Sequence, residues 1–383
     1  MSGSAAYSPF YTEEHAAFRE MLRRFVTREI APFVDTWDEA ETFPRDLYLK
    51  AAAIGLHGLG YPEKYGGVPG DLFHAIIAAQ ELARGGSGGL SASLRSHTIG
   101  TPPIVRLGSD ALRERVVPQI LSGEKISALA ITEPDGGSDV ASIRTTAKRD
   151  GDHYVVDGAK MFITSGVRAD FYTVAVRTGG AGKGGISLLL LERDMPGFTQ
   201  TPLKKMGWWM SDTAALHFDG VRVPAGNRLG EEGHGFAAIM HNFNSERIGM
   251  AAGCNGFSQV CLDEGISWAR QRKVFGGRLA DSQVIRHKLV DMAMRINATQ
   301  ANLELLAWRI MQGESPVAEI AMLKNQATQT MAFCASEAVQ IHGGMGFMRG
   351  TKVERIYREV KVNAIGGGAE EIMKDLAARQ MGI

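Results

Sequence analysis

Glu246 and Arg247 interrupt the most regular apolar series in the sequence. Phe236, Met240, Phe243, Met250, Cys254, Phe257 and Cys261 recur at alternating four- and three-residue spacing, and position 247 completes the series with an arginine. Glu246 lies about 100° further round the same helix. A charge on a core-facing line is costly unless it is paired or opens onto a polar cavity. The pair therefore reads either as a structural ion pair or as a carboxylate set in a cleft. In a cleft, loss of water raises the carboxyl pKa and suits it to take a proton from carbon.

Three further segments have the composition of ligand-binding backbone. ITEPDGGSD, Ile131 to Asp139, leaves an apolar strand (ISALAI) for a loop containing Pro134, Gly136, Gly137 and Ser138. Such a loop can offer N–H groups and a hydroxyl to a phosphate without any lysine, although an ordinary turn has the same composition. In AKMFITSG, Ala159 to Gly166, Phe162 and Thr164 stand two residues apart on one strand and share a face. An aromatic beside a hydroxyl suits a flat heteroaromatic ligand, and it equally suits core packing. NAIGGGAEEI, Asn363 to Ile372, sets Gly366, Gly367 and Gly368 between two helical stretches. Consecutive glycines mean backbone freedom or a main-chain approach to a ligand.

These segments need scaffolding of more than one kind. Residues 1–125 carry helical periodicity, as in Glu13–Ile30, where Phe18, Met21, Leu22 and Phe25 form one face. From 126 to 229, short β-rich runs alternate with turn residues, as in DFYTVAVR, GISLLLLER and AALHFDGVRVP, which predicts an antiparallel barrel or sandwich. From 230 to 383 the helical period returns over 236–261, 284–311 and 316–341, which predicts a four-helix bundle. The fold expected is α+β: an N-terminal helical domain, a middle antiparallel β-barrel and a C-terminal four-helix bundle.

Composition excludes several classes. The chain has 383 residues, 44% hydrophobic and 22% charged, the balance of an ordinary globular protein. Lys+Arg and Asp+Glu both number 42, so no net field draws it to nucleic acid or anionic lipid. No apolar run approaches the roughly 20 residues of a membrane span. The N-terminal residues lack the charged and apolar regions of a secretory signal. Cys254, Cys261 and Cys334 lie in apolar helical patterns without metal-ligand spacing, so no metal site and a reduced, cytoplasmic setting are expected.

In order along the chain, ITEPDGGSD, KMFITSG, MGWWMSDTAALHFDGVRVP, RQRKVFG, QIHGGMGF and GGGAEEIMK resemble the motifs of the acyl-CoA dehydrogenase flavoproteins. The resemblance covers essentially the whole chain and implies the same order of domains and an FAD cofactor. By similarity, Leu129, Ile131, Thr132, Gly137 and Ser138 hold flavin and pyrophosphate. Phe162, Ile163 and Thr164 cover the isoalloxazine, with Thr164 near N5. Arg272, Phe275, Gln283, Gln340, Ile341, His342, Gly343 and Gly344 reach the cofactor of a neighbouring subunit, and Ala369, Glu370 and Glu371 meet FAD from the C-terminal side. A homodimer or homotetramer is implied, with an electron-transfer flavoprotein as acceptor.

The reaction implied is removal of the α-proton of an acyl-CoA while the β-hydride passes to flavin N5, giving a trans-2-enoyl thioester. Short- and medium-chain relatives carry the base at the position matching Gly367. Isovaleryl-CoA and long-chain relatives carry it on the bundle helix directly before an arginine, here Glu246 before Arg247. The lost carboxylate and the charge on the apolar stripe thus account for each other. Gly367 keeps a role through its N–H, as a donor to the thioester carbonyl, and Gly367→Glu is expected to restore part of the activity of a Glu246→Gln protein. Ser138, Asn244, Arg247 and Gly368 are the implied substrate contacts. Asn244 departs from the acidic residue of many relatives, and Ala369 from their Thr or Ser. Trp208 and Trp209 either line the acyl channel or pack in the core. Rival readings keep the fold and change the substrate to an acyl-carrier-protein thioester, or the chemistry to that of a flavin oxidase or monooxygenase. A nucleic-acid-associated relative is disfavoured by the zero net charge and by the lack of a basic extension after the bundle.

Overall fold

The computed structural model describes residues 8–383. Helices α1 (Glu13–Phe25), α2 (Val34–Glu39), α3 (Asp46–Ala53), α4 (Leu72–Ala83), α5 (Gly88–Leu94), α6 (His97–Gly100), α7 (Pro102–Leu107) and α8 (Asp110–Leu121) come first. Side-chain caps set several starts: Thr12 accepts from the His15 N–H, Asp71 from that of His74 and Ser109 from that of Leu112.

Strands follow: β1 (Ser127–Ala130), β2 (Thr146–Asp150), β3 (His153–Thr164), β4 (Phe171–Arg177), β5 (Ile186–Glu192), β6 (Phe198–Pro202), β7 (Thr213–Pro224) and β8 (Arg228–Leu229). Their order is β6-β7-β3-β2-β4-β5-β8, with β1 beside β4. Most neighbours are antiparallel, but β1 runs parallel to β4, and Thr146 of β2 pairs in parallel with Arg177 of β4. Alternation within a strand does not encode the direction of its partner, so these parallel pairs were not legible in the sequence. The continuous apolar runs of β4 and β5 are buried on both faces. Val174, Val176, Leu189 and Leu191 join the core that includes α1 and α4, while Ala175, Leu188 and Leu190 join a second core with α8.

The chain then forms α9 (Gly235–Gln271), a small hairpin of β9 (Lys273–Val274) and β10 (Gly277–Arg278), α10 (Gln283–Met311), α11 (Val317–His342), α12 (Lys352–Ile365) and α13 (Glu370–Met381). Cys254, Cys261 and Cys334 are buried among the bundle helices. No helix among the described residues is long and apolar enough to cross a membrane. Helix α9 serves two cores. Phe236, Met240 and Phe243 pack on the core shared by α8 and the sheet, while Cys254, Phe257 and Cys261 belong to the bundle core. Glu246 and Arg247 stand where the helix passes from one to the other, which is why charge is tolerated on its apolar stripe.

Candidate active site

Oε1 of Glu246 accepts from Nδ2 of Asn242 at 2.9 Å, one helical turn back. The same amide nitrogen donates to the Ile99 carbonyl of α6 at 3.2 Å. Glu246 is half-buried, yet its carboxyl is so closely surrounded that burial pushes it up to about 8, against the pull of the Arg247 charge and the Asn242 hydrogen bond. Arg247 is buried. Its Nε donates to the Gly367 carbonyl at 3.2 Å and its Nη1 to Asn244 Oδ1 at 3.2 Å, and its guanidinium lies 5.6 Å from the centre of the Phe243 ring. None of these contacts is with the Glu246 carboxylate.

The glycine segment is tied down on its carbonyl side. Lys324 of α11, wholly buried, donates to the Gly368 carbonyl at 2.7 Å and to that of Ala364 at 3.4 Å. Asn325 Nδ2 holds the Glu370 carbonyl at 2.9 Å. With Arg247 on Gly367, the carbonyls are drawn onto α9 and α11. The N–H groups of Gly367, Gly368 and Ala369 have no acceptor among the described residues. Anchored carbonyls with free N–H groups make a site for a negative or carbonyl oxygen. Gly367 and Gly368 take φ of +66° and +109°, open to glycine at no steric cost.

A Cβ on Gly367 would come within 2.6 Å of Met250 Sδ. Moving the carboxylate to this position therefore meets a left-handed backbone and requires the Met250 thioether to shift, which argues against the expected restoration. Gly367→Glu added to Glu246→Gln should restore no measurable turnover. The left-handed backbone alone should cost it about 1–2 kcal/mol of stability, read by urea denaturation.

On the sheet, the Met161 N–H donates to the Thr132 carbonyl at 2.8 Å, fastening the 131–139 loop to the end of β3. Beneath it, Glu133 accepts from the N–H groups of Arg144 and Thr145 at 2.6 and 2.9 Å and from Lys160 Nζ at 2.8 Å. Lys160 Nζ also donates to the Ile131 carbonyl at 2.9 Å. Burial works to raise the Glu133 carboxyl, but Lys160 and these hydrogen bonds outweigh it and hold it below its usual range. Burial likewise pushes Lys160 down to about 8 despite its partner.

A bulge between Lys160 and Ile163 turns Phe162 outward with φ of +63° and 67% exposure, while Ile163 is buried and Thr164 half-buried. Phe162 and Thr164 thus share the face opposite Ile163. Gly137 and Ser138 are exposed, Leu129 and Thr132 half-buried and Ile131 buried. The loop and the strand end form one edge of the sheet.

The remaining expected residues gather elsewhere. Arg272 and Phe275 lie on the hairpin after α9, where Phe275 is fully exposed with φ of +46°. Gln283 is exposed at the start of α10. Gln340 to Gly344 close α11, where the His342 ring stacks 5.0 Å from that of Trp268. Among the described residues, none of these hydrogen-bonds to the 131–139 loop or to 162–164 of the same chain. Ala369 precedes α13. The Glu370 carboxylate accepts from Thr328 Oγ1 and Gln329 Nε2, both at 3.3 Å, and Glu371 is exposed. Trp209 lies between Arg358 and Arg349, 3.7 and 4.5 Å from its ring centre, and Trp208 packs against Gly88 and Gly89. Both tryptophans are packing residues.

Sequence reasoning missed Asn242, Lys324, Glu133 and Lys160. Lys324 offered the same signal as Arg247, a cation inside an apolar helical stretch (EIAMLKNQATQTM). Asn242 could be found as the polar residue one turn before Glu246.

Models of the acyl-CoA dehydrogenase N-terminal, middle and C-terminal domains match residues 12–124, 128–221 and 233–382. The chain is 37% identical over 373 residues to an acyl-CoA dehydrogenase of Bacillus subtilis (strain 168), covering 97% of this chain and 98% of that one. It is 36% identical to the mitochondrial long-chain specific acyl-CoA dehydrogenase of Rattus norvegicus, over 97% of this chain and 87% of the other. The crystal structure of a probable acyl-CoA dehydrogenase from Mycobacterium abscessus superposes with a TM-score of 0.96 at 47% identity, covering 97% of this chain and all of that one. The chain therefore belongs to the acyl-CoA dehydrogenase family, oxidoreductases acting on CH–CH bonds.

Proposed function

We propose that this protein is an FAD-dependent dehydrogenase that takes a saturated acyl-CoA thioester to its trans-2-enoyl thioester, with Glu246 removing the α-proton. The Glu246 site carries this reading: a carboxyl between two cores, pushed up to about 8 by burial, next along the helix to an arginine that holds a loop with free N–H donors. A thioester α-proton is weakly acidic. Its removal needs a carboxylate of raised basicity and a donor at the carbonyl oxygen. Asn242 holds Glu246 for the first task, and the Gly367 N–H supplies the second while Arg247 fixes the Gly367 carbonyl. Ser138, Asn244, Arg247 and Gly368 would contact the substrate.

FAD fits the sheet edge. Gly137 and Ser138 are open to a pyrophosphate, and Phe162 is held outward with its backbone in the left-handed region. Thr164 stands beside it, over a floor of Leu129, Ile131, Thr132 and Ile163. When bound, FAD supplies the hydride acceptor. Arg272, Phe275, Gln283 and residues 340–344 would hold the cofactor of a neighbouring subunit, and Ala369 to Glu371 would approach FAD from the C-terminal side. Exposed Phe275, Met345, Phe347 and Met348 are apolar surface that a homodimer or homotetramer would cover. An electron-transfer flavoprotein is the acceptor that completes this scheme.

Anaerobic mixing of the flavin-loaded protein with straight-chain and branched acyl-CoA esters tests the reading. Rapid loss of flavin absorbance with one chain class supports it. Response to acyl-carrier-protein thioesters but to no CoA ester would move the substrate class, and response to neither would overturn the assignment. Asn242→Leu removes a hydrogen bond that lowers the Glu246 pKa. The acid limb of its kcat/KM profile should therefore move to higher pH, with a lower plateau; an unmoved limb would contradict the positioning role of Asn242.

A further inference from the structure

We infer that Lys324 is a positioning residue for the proton abstraction: its buried ammonium clamps both ends of the glycine turn, holds the backbone donors aimed at the thioester oxygen and favours negative charge there. The inference rests on the reading of Glu246 as the base and adds a residue of α11 that acts through the backbone.

Lys324 has no contact with solvent. Its Nζ donates to the Gly368 carbonyl at 2.7 Å and to the Ala364 carbonyl at 3.4 Å. These acceptors bracket Ile365, Gly366 and Gly367, so one cation spans the turn between α12 and α13. Arg247 holds the middle of the same turn through the Gly367 carbonyl. Across a trans peptide plane a carbonyl is antiparallel to the N–H of the next residue. Fixing the carbonyls of Gly367 and Gly368 therefore turns the N–H groups of Gly368 and Ala369 away from the two cations. The Gly367 N–H is caught between that held carbonyl and the Gly366 N–H, which closes α12 onto the Val362 carbonyl at 2.7 Å. Without the clamp, adjacent glycines have the widest conformational freedom of any residues. A donor lowers a barrier most when it is already aimed.

Charge is the second part of the role. A buried cation is costly unless it is paired, and Lys160 in this chain meets that cost by pairing with Glu133 at 2.8 Å. Lys324 makes no ion pair among the described residues; both its partners are carbonyls. The acidic groups near it leave the charge standing. The Glu370 carboxylate is committed to Thr328 and Gln329, Glu371 is exposed, and burial pushes the Cys254 thiol up to about 12, so it keeps its proton. Arg247, the other buried cation at the turn, also has no carboxylate within ion-pair distance among the described residues. Two cations thus stand behind a set of free N–H groups. The negative charge that answers them is an enolate oxygen, which develops only as the α-proton leaves, so the field favours the transition state over the bound ester.

The carbonyl stretch of a trans-2-enoyl-CoA, isotope-labelled at that carbonyl and bound to the flavin-loaded protein, reads the donors directly by infrared difference spectroscopy. In wild type the stretch should move to lower frequency on binding. In Lys324→Met it should return most of the way to the free value, while flavin reduction by the matching saturated ester slows roughly 10- to 100-fold and affinity for the ester changes by a smaller factor. Where methionine yields too little folded protein, Lys324→Gln removes the same charge and is read in the same way. An unshifted stretch in wild type, or a shift that survives the substitution, would overturn the role of Lys324 even if the rate falls. Either result leaves the dehydrogenase reading intact when an acyl-CoA reduces the wild-type flavin, and reduction by no ester overturns both.

Discussion

Glu246→Gln should yield a protein that binds FAD and acyl-CoA, turns over roughly 10²- to 10⁴-fold more slowly, and is more stable than wild type at alkaline pH. The stability gain follows from the direction of the Glu246 shift. Its carboxyl is raised from 4.5 to about 8 by burial, so between these values the folded chain keeps a proton that the unfolded chain has lost. Folding stability therefore falls as pH rises through that window, and the whole penalty is in place above about pH 8. Glutamine carries no such penalty. The gain is at most about 5 kcal/mol, less by whatever water the cleft admits, and it disappears below the unfolded carboxyl pKa. Urea denaturation of both proteins at an alkaline and an acidic pH measures it. A structural ion pair predicts the opposite sign, because glutamine would then leave Arg247 buried without its partner.

Lys160→Met should cost about 3–5 kcal/mol, the usual penalty for breaking a buried ion pair. Lys160 is wholly buried and Glu133 nearly so, and together they hold the Ile131 carbonyl and the backbone of Arg144 and Thr145. The variant should also lose flavin during purification, since the loop it anchors is the proposed pyrophosphate site. Lys160→Met combined with Glu133→Leu should recover part of the stability but not the flavin, because removing both charges relieves the unpaired group without rebuilding the loop. Equal losses in the single and double variants would show that the pair contributes by packing alone.

The order of helices, strands and helices was legible because periodicity switches twice along the chain, and long amphipathic runs such as 284–311 reveal their length directly. Parallel pairing of β1 with β4 was not, since it depends on where the chain re-enters the sheet. At the site, Glu246 with Arg247 announced itself as charge on an apolar stripe, but the reason lay in the fold: α9 crosses from one core to another at that turn. The glycine segment was visible as a run of small residues. The cations that draw its carbonyls inward, Arg247 from α9 and Lys324 from α11, come from helices far apart in sequence. Met250 shows the limit of reasoning by position. Its thioether stands where a Cβ at 367 would be, and nothing in the sequence pairs those two residues.

The most direct test of the account is the rate of anaerobic flavin reduction by a saturating acyl-CoA, followed against pH in wild type and in Glu246→Gln. Wild type should accelerate as pH rises through the titration of Glu246, and the glutamine variant should stay slow at every pH while still binding the ester. Fast reduction in Glu246→Gln, with the same pH limb as wild type, would contradict the assignment of Glu246 as the base.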